Sequence, residues 1–384
     1  MINSQVLALN KSSTLKITAL TKKLKSEGKD IVNFAAGEPD FDTPDFIKEA
    51  GKLAIDQGIT KYTPSTGMPE LKDAIAAKLK NENNIPVESK NIIVTAGAKY
   101  AIYAAILTLI DKDNEVIIPS PFWVSYPEMV KLTKGTSKIL PISEKNGYKI
   151  DIEDLKRAIT PKSKLLILNY PANPTGINYS QKELTDIFNV IKNKGIYVLS
   201  DEIYEKLIYD NKKFVSFASL PDAAQITITI NGFSKAYSMT GWRLGYLSAP
   251  DKIADEASKI IDHTTSCAAS IVQKAAIAAL KNTTWPVTML KEFQTRRDTL
   301  YQGLSSIKKI NPLLPEGTFY MFCDIRDTKL SAPDFAAQLL EKHLVAVVPA
   351  DDFGIQGFVR LSFATSLPDI NKGIERMGSF IKTL

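Results

Sequence analysis

Short runs of apolar or β-branched residues, each followed by a cluster of polar or turn-forming residues, recur through the middle of the chain. They lie at residues 92–95, 116–118, 165–168, 197–199 and 226–230. These runs do not alternate between apolar and charged positions, which is typical of strands that are buried on both faces of a parallel sheet. Helical patterns separate them. The sequence therefore predicts an α/β fold with a mostly parallel sheet flanked by helices.

The C-terminal part of the chain has a different pattern. A long, charged helix is predicted at residues 291–309. Further strands are predicted at residues 317–322, 345–349 and 358–363. With 384 residues, the chain is long enough for two domains. We expect residues 46–290 to form the large domain, and the N-terminal segment 1–45 to join residues 291–384 in a smaller α+β domain.

The composition narrows the kinds of chemistry that are available. The chain has only two cysteines and two histidines, which excludes a disulfide scaffold and a Cys-rich zinc site and leaves little room for a His-based catalytic triad. An enzyme of this composition would use Lys, Asp or Tyr for proton transfer, with a cofactor for the electronic part. The net charge of +6 suits anionic metabolites as well as it suits nucleic acid.

Two apolar stretches bear on the location of the protein. Residues 6–9 are too short for the core of a signal peptide, and residues 100–110 are too short to span a bilayer. We therefore expect a cytoplasmic protein.

The polar clusters at the ends of the predicted strands lie where open α/β folds bind ligands. Lys235 follows one of these strands, and partial burial there would lower the pKa of its amine and favour Schiff-base chemistry. Ser234 and Arg243, on either side, would suit a phosphate. An ordinary loop with an exposed lysine accounts for the same residues.

Two other strand ends contain polar residues of the same kind. Asp201, three residues before Tyr204, could bind a metal, cap the next helix or pair with a protonated ring nitrogen. Asn173 begins an Asn-Pro-Thr-Gly segment, whose composition turn formation alone would explain. Each motif is modest by itself, but their joint occurrence in this order is specific.

In this combination the chain resembles the class I aminotransferases of the aspartate aminotransferase fold, which use pyridoxal 5′-phosphate (PLP). The resemblance is strongest to the bacterial subgroup of aspartate aminotransferases and covers nearly the whole chain. It depends on residues 36–44, 61–62, 121–127, 173–176, 200–204, 234–245 and 360–362. It implies a fold-type I PLP-dependent transferase with a large cofactor-binding domain and a smaller α+β domain.

The resemblance assigns roles around the cofactor ring. Lys235 would form the Schiff base with PLP and, once released by substrate, would move the proton of the reaction. Asp201 would keep the pyridine nitrogen protonated, while Tyr204 and Asn173 would hydrogen-bond the 3′-oxygen. Trp123 would stack on the ring.

The resemblance also assigns the residues around the cofactor phosphate, at a helix N-terminus. They are Gly97, Ala98, Lys99, Ser234 and Arg243. Tyr62 would reach the phosphate of a neighbouring subunit, which implies a homodimer with shared active sites. No metal is implied.

For the substrate, the resemblance implies that Arg360 holds the α-carboxylate in a bidentate fork. Gly37, Asn173 and Trp123 would lie beside it, and Lys99 would recognise a distal carboxylate. The implied reaction is a ping-pong transamination between L-aspartate or L-glutamate and 2-oxoglutarate or oxaloacetate.

Other functions on the same fold stay open at this point. They are aromatic or prephenate transamination and a different PLP reaction, such as that of a β-lyase or a cyclopropane-carboxylate-forming synthase. Some relatives that use prephenate have a basic residue where Asn10 and Lys11 lie here. A PLP-binding transcriptional regulator is disfavoured, because Gly37 falls too early for a helix-turn-helix module to precede it.

Overall fold

The computed structural model describes residues 2–10 and 13–384. The α-helices are α1 (Ser4–Leu7), α2 (Ser13–Ser26), α3 (Asp45–Asp56), α4 (Pro69–Asn83), α5 (Ala98–Leu109), α6 (Ser125–Leu132), α7 (Ile152–Ala158), α8 (Gln181–Ile191), α9 (Asp251–Asp262), α10 (Ser270–Lys281), α11 (Thr284–Ser305), α12 (Ala332–His343) and α13 (Leu367–Ile381). The strands are β1 (Val32–Asn33), β2 (Ile92–Thr95), β3 (Glu115–Ser120), β4 (Thr136–Pro141), β5 (Ser163–Asn169), β6 (Tyr197–Asp201), β7 (Thr227–Gly232), β8 (Gly245–Ser248), β9 (Asn311–Leu313), β10 (Tyr320–Asp324), β11 (Val345–Ala346), β12 (Val348–Pro349) and β13 (Phe358–Ser362).

A seven-stranded sheet forms the centre of the molecule, in the order β2-β8-β7-β6-β5-β3-β4. Strand β8 runs antiparallel to both of its neighbours, and every other pair in this sheet is parallel. The predicted α/β architecture is therefore confirmed, and all five predicted apolar runs lie in strands of this sheet except for Ile226, which precedes β7. Strand β8 was not predicted, because its four residues begin with a glycine and follow the polar 234–243 segment without a turn signal.

The topology brings the ends of several strands to one edge of the sheet. Strand β2 is antiparallel to β8, which is antiparallel to β7, so β2 points in the same direction as β5, β6 and β7. Register places Asn169 opposite Asp201, and Asp201 opposite Ile230. The polar residues that follow these strands therefore lie close together, as the sequence predicted.

Helix α5 begins three residues after β2 and packs against β7, β8 and α9. Its buried residues are Ala101, Ile102, Ala104, Ala105 and Ile106. Small alanines let this helix approach the sheet closely, so that its N-terminus faces the carboxyl edge of the strands. The apolar run at 100–110 is thus a helix of the core.

The rest of the chain forms smaller sheets. An antiparallel sheet has the order β12-β13-β10-β9, and β1 from the N-terminal part pairs in parallel with β11. The predicted helix at 291–309 instead spans Thr284–Ser305, with Pro286 in its first turn, where a missing N–H is tolerated. This helix crosses position 290, and the proposed domain division stays a prediction. Among the described helices, none is long and apolar enough to cross a membrane.

Candidate active site

A cavity of about 410 Å³ opens at the carboxyl edge of the central sheet. The predicted site residues that line it are Gly37, Ala98, Lys99, Trp123, Asn173, Asp201, Tyr204, Ser234, Lys235, Arg243 and Arg360. The sheet supplies one wall, and β10 and β13 supply the opposite wall through Tyr320 and Arg360. Residues that are as far apart in sequence as Gly37 and Arg360 therefore face one space.

Asp201 ends β6 at the floor of the cavity and is buried. The Tyr126 hydroxyl donates a hydrogen bond to its Oδ2 over 2.6 Å, and the Ile203 amide donates to Oδ1 over 3.3 Å. Burial raises the pKa of this carboxyl to about 6, because the two hydrogen bonds only partly offset the loss of solvation. Among the described residues, no Lys or Arg lies within ion-pair distance of it. Asp201 is therefore a buried acid suited to a cationic ligand group.

Lys235 lies in the turn after β7 and is half-buried. Its ammonium donates to the Gly37 carbonyl over 2.5 Å and lies over the rings of Tyr204 and Phe319. Loss of solvation lowers its pKa to about 8, although the charge of Glu38 opposes this shift. A substantial fraction of neutral amine is therefore available near pH 8, as Schiff-base chemistry requires.

Arg360 is 2 % exposed, on β13. Its Nη1 donates to Asn173 Oδ1 over 2.9 Å and its Nη2 lies 3.5 Å from the Ala35 carbonyl oxygen, while its Nε is buried without a partner. Within residues 2–10 and 13–384, no Asp or Glu forms an ion pair with this guanidinium. A buried cation with an unused donor is costly unless an anion binds there.

The residues around the N-terminus of α5 are suited to binding a second anion. Gly97, with φ of +91°, turns the chain from β2 into α5, and a Cβ at this glycine would lie 2.6 Å from Arg243 Nη2. A Cβ at Gly245 would lie 2.3 Å from the Ala98 amide nitrogen. Both glycines therefore allow backbone N–H groups and Arg243 to approach one point at a helix N-terminus, which is the usual setting for a phosphate.

Lys99 lies in the first turn of α5, with its Nζ 4.7 Å from the centre of the Trp123 ring. Burial, together with the charge of Arg243, lowers the pKa of its amine. The cavity is thus lined by several cationic groups and by the aromatic ring of Trp123.

The loop that contains Gly37 is fastened across the cavity to the 234–243 segment. Thr43 Oγ1 donates to the Ser238 carbonyl over 2.6 Å and accepts from Trp242 Nε1 over 3.0 Å. Thr240 Oγ1 donates to Glu38 Oε2 over 2.7 Å. These bonds hold the loop against the lysine-bearing turn, which explains how a distant segment of sequence reaches the site.

The comparisons with known proteins agree with this geometry. The model of the family "Aminotransferase class I and II" matches residues 29–377. The chain belongs to this family. It is 43% identical to an aspartate aminotransferase of Bacillus subtilis and 42% identical to a probable aspartate/prephenate aminotransferase of Aquifex aeolicus, with 98% and 97% of each chain covered, respectively.

Solved aminotransferase structures have the same fold. The Thermus thermophilus aspartate aminotransferase with maleate superposes with a TM-score of 0.95, at 37% identity and 99% coverage of both chains. The enzyme from Rhizobium meliloti gives a TM-score of 0.96 at 36% identity, over 100% of this chain and 99% of that one. The resemblance and the fold type are therefore confirmed, and the protein is a PLP-dependent aminotransferase.

The residues of this aminotransferase fit PLP. The cavity offers a buried carboxyl at Asp201 for a ring nitrogen, the amine of Lys235, a flat ring at Trp123 and an anion site at the N-terminus of α5. These features match the acid–base and charge pattern of the cofactor, from its pyridine nitrogen to its phosphate.

Two predicted residues do not line this cavity. Gly97 is not a lining residue, but it packs against the guanidinium of Arg243, which is one. Tyr62 is 90 % exposed and also does not line it. Lys11, considered in connection with prephenate, lies outside the described residues, whereas the neighbouring Asn10 donates its amide to Glu128 Oε2.

The sequence reasoning missed several residues of the cavity. Tyr126, the partner of Asp201, lies within the 121–127 motif, which could have identified it. Glu38 likewise follows Gly37 directly. Tyr320 and Lys22 had no signal in the sequence, because each belongs to an ordinary amphipathic or apolar stretch and reaches the cavity only through the fold.

Proposed function

We propose that this aminotransferase exchanges the amino group between L-aspartate or L-glutamate and their 2-oxo acids. Donor and acceptor bind one after the other at the same site, which gives ping-pong kinetics. The observation that supports this proposal most strongly is the buried Arg360 guanidinium, whose Nε has no partner. Its planar fork suits a carboxylate, the group shared by every amino acid and 2-oxo acid.

A second cation supports the preference for dicarboxylic substrates. Lys99 lines the same cavity; its side chain is exposed, but partial loss of solvation and the charge of Arg243 lower the pKa of its amine. Arg360 would bind the α-carboxylate and Lys99 the distal one. Lys22, from α2, lines the cavity too and is likewise exposed.

PLP, when bound, withdraws electrons from the substrate and carries the amino group between the two half-reactions. Asp201 would hold a proton on the pyridine nitrogen. Its pKa of about 6 leaves it mostly ionised at neutral pH, and a cationic partner would favour the ionised form further. Tyr126 fixes the orientation of this carboxylate through its 2.6 Å hydrogen bond.

Lys235 would bind the cofactor covalently and, after release, use its Nζ to accept and return the proton of the substrate Cα. Its lowered pKa favours the neutral amine that this task needs. The free Nζ donates a hydrogen bond to the Gly37 carbonyl. The loop around Gly37 therefore connects substrate binding with the position of the base.

The remaining residues would orient the cofactor. Trp123 would pack on one face of the ring, while Tyr204 would donate its hydroxyl proton to the 3′-oxygen. Asn173 accepts from Arg360 through Oδ1, so its Nδ2 remains as a second donor to that oxygen. Ser234, with Arg243, would bind the phosphate at the N-terminus of α5.

We also propose a homodimer in which Tyr62 reaches the neighbouring subunit's phosphate site. Its ring is 90 % exposed and does not line the cavity of its own chain, as expected of a residue that serves a partner. Hybrid dimers of a Lys235→Ala chain and a Tyr62→Phe chain test this. Shared sites leave one site with both native residues and native cofactor affinity. If each Tyr62 served its own chain, no site of the hybrid would have both.

The substrate proposal is tested by mixing the PLP form with single amino acids and following the loss of the cofactor's absorbance. Aspartate and glutamate should react fastest, ahead of alanine and phenylalanine. Prephenate and 2-oxoglutarate are compared in the reverse half-reaction. Faster reaction with phenylalanine than with aspartate would contradict the proposal in favour of an aromatic aminotransferase.

Two lysine variants separate the cations of the cavity. Lys99→Ala should lower kcat/KM for aspartate and glutamate about 10- to 150-fold more than for alanine, the scale of one charge-assisted contact. Lys22→Ala removes an exposed charge from the same cavity and is the matched control. An equal loss for all substrates in Lys99→Ala would make Lys99 a residue of the phosphate site instead.

A further inference from the structure

We propose that Tyr320 is a positioning residue that links the carboxylate-binding Arg360 to Tyr204, with its ring under the guanidinium and its hydroxyl donating to the Tyr204 phenol. The inference rests on the proposed function, since it takes the roles of Arg360 and Tyr204 from there. Tyr320 has no role in the motifs that relate this chain to its family. It lines the cavity and is only 1 % exposed.

Strand register explains why the ring of Tyr320 lies beneath Arg360. In the antiparallel pair of β10 and β13, Phe322 is opposite Arg360 and Tyr320 is opposite Ser362. Tyr320 and Arg360 are therefore diagonal neighbours on one face of the sheet. The Arg360 Cζ lies 4.1 Å from the centre of the Tyr320 ring, which is a close cation–π contact in a desolvated setting.

The hydroxyl of Tyr320 is directed at the cofactor side of the cavity. It lies 3.1 Å from the Tyr204 hydroxyl, and this is its only hydrogen bond among the described residues. The two rings meet nearly edge to face, with centres 5.9 Å apart. A Cβ at Gly37 would lie 3.6 Å from the Tyr320 oxygen, so the loop that contains Gly37 packs over this contact.

The direction of this hydrogen bond follows from the proton count. A tyrosine hydroxyl has one proton, and Tyr204 uses it to donate to the 3′-oxygen of PLP in the proposed function. Tyr320 must then be the donor in the bond between the two hydroxyls. Successive hydrogen bonds polarise one another, so a donation from Tyr320 makes Tyr204 a stronger donor.

This arrangement makes Tyr320 respond to both ligands. The guanidinium above its ring favours electron withdrawal from the phenol, which strengthens the donation to Tyr204. A stronger donor at the 3′-oxygen withdraws electron density from the cofactor and lowers the pKa of its Schiff base. A substrate carboxylate on Arg360 offsets the positive charge above the ring, so carboxylate binding is communicated to the cofactor through Tyr320 and then Tyr204.

The test is an absorbance titration of the bound cofactor with pH, without substrate, on the PLP form of native protein and of Tyr320→Phe. The variant keeps the ring under Arg360 but loses the hydroxyl. In Tyr320→Phe we expect the pKa of the cofactor's Schiff base to rise by about 0.5, the scale of one modest hydrogen bond. KM for aspartate should stay within about twofold, because the cation–π contact is kept. Tyr320→Leu, which removes the ring, should also raise KM for dicarboxylic and monocarboxylic donors alike, by about 2- to 30-fold.

Tyr209→Phe is the matched control. Tyr209 is also buried, donates its hydroxyl to a carbonyl (that of Thr318) and lies under an arginine, with Arg297 Cζ 4.7 Å from its ring centre, but it does not line the cavity. It should leave the cofactor's titration unchanged. An unchanged titration in Tyr320→Phe, or an equal shift in Tyr209→Phe, would overturn the inference. Tyr204→Phe distinguishes a failure of this inference from a failure of the proposed function. If Tyr204→Phe shifts the pKa of the cofactor's Schiff base and Tyr320→Phe does not, only the role of Tyr320 fails. If neither variant shifts it, the proposed role of Tyr204 fails first.

Discussion

Asp201 and Glu205 are acidic residues only four positions apart in the chain, but the clusters to which they belong are built in opposite ways. Asp201 has a tyrosine as its main partner, and its pKa is raised to about 6 by burial. The side chain of Glu205 is buried as well, yet its pKa is lowered, because the charges of Lys78 and Lys206 and the hydrogen bonds from Lys78 and Asn83 outweigh the effect of burial. The side chains of Lys78 and Glu205 are each 7 % exposed and form a direct ion pair.

This difference distinguishes a cluster that binds ligands from a cluster that stabilises the fold. Within the second cluster Lys78 and Glu205 neutralise each other, and Lys78 also donates to Asn83 over 2.7 Å. In the cavity, Asp201, Lys235 and Arg360 are held close to one another without forming ion pairs, each with capacity left over for a ligand. Unpaired buried charge is costly to a folded protein, so its concentration at one place indicates function.

The largest effect is expected at the lysine of the unpaired cluster. Lys235→Ala removes both the covalent attachment point and the base, so steady-state transamination should fall by at least roughly 10⁴-fold, the upper range for acid–base catalysis alone. PLP should still bind without a covalent bond, as equilibrium dialysis can measure. A variant that retains more than a few per cent of native activity would remove Lys235 from the mechanism.

The paired cluster should respond in stability and not in chemistry. Lys78→Met leaves the Glu205 carboxylate buried without its partner, and unfolding by urea should show a loss of about 3–5 kcal/mol. The kcat of the folded fraction should stay native. Because Glu205 has its pKa lowered in the folded state, its stabilisation exists above the unfolded pKa near 4.5 and is lost as the pH falls, so the difference between variant and native protein should shrink below that pH. A selective loss of kcat would contradict the comparison.

Asp201→Asn should lower turnover and raise stability, the opposite of Lys78→Met. Turnover should fall by roughly 10²–10³-fold, the scale of one preorganised electrostatic contact. The protein without cofactor should become more stable at pH 7, because a folded pKa of about 6 above the unfolded 3.8 means that the ionised carboxylate destabilises the fold at neutral pH. At pH 3, where both states are protonated, the gain should vanish. Urea unfolding at the two pH values measures it, and a loss of stability at pH 7 would place Asp201 with the supporting residues.

The smallest of these effects concerns the fork at Arg360. Arg360→Lys keeps the positive charge but loses the bidentate geometry, so KM should rise about 10- to 150-fold for aspartate and alanine alike. The similar loss for both follows because each has an α-carboxylate. Kinetics with the two donors measure this, and an effect confined to aspartate would move Arg360 to the distal carboxylate.

The sequence predicted the sheet side of the cavity far better than the opposite side. Asp201 ends a recognisable buried strand, Asn173 and Lys235 each follow one, and parallel strands necessarily bring such residues to one edge. The antiparallel strand β8 and the approach of Gly245 to Ala98 depend on packing that no periodic pattern records.

The opposite wall depends on long-range register. Arg360 was assigned from a family motif, but its position over Tyr320 results from the pairing of β10 with β13. Tyr320 lies in an apolar strand pattern and has no local signal of function. The paired cluster was not predicted either, since Lys78 and Glu205 are 127 residues apart and meet only in the fold.

The central claim is that Lys235, at the end of β7, is the residue that binds PLP. The most direct measurement is reduction of the PLP-loaded protein with borohydride, followed by proteolysis and mass spectrometry of the modified peptides. The account predicts one stoichiometric pyridoxyl group on Lys235, with none on the two other lysines of the cavity, Lys22 and Lys99. Stoichiometric modification of either of those lysines, with Lys235 unmodified, would contradict it.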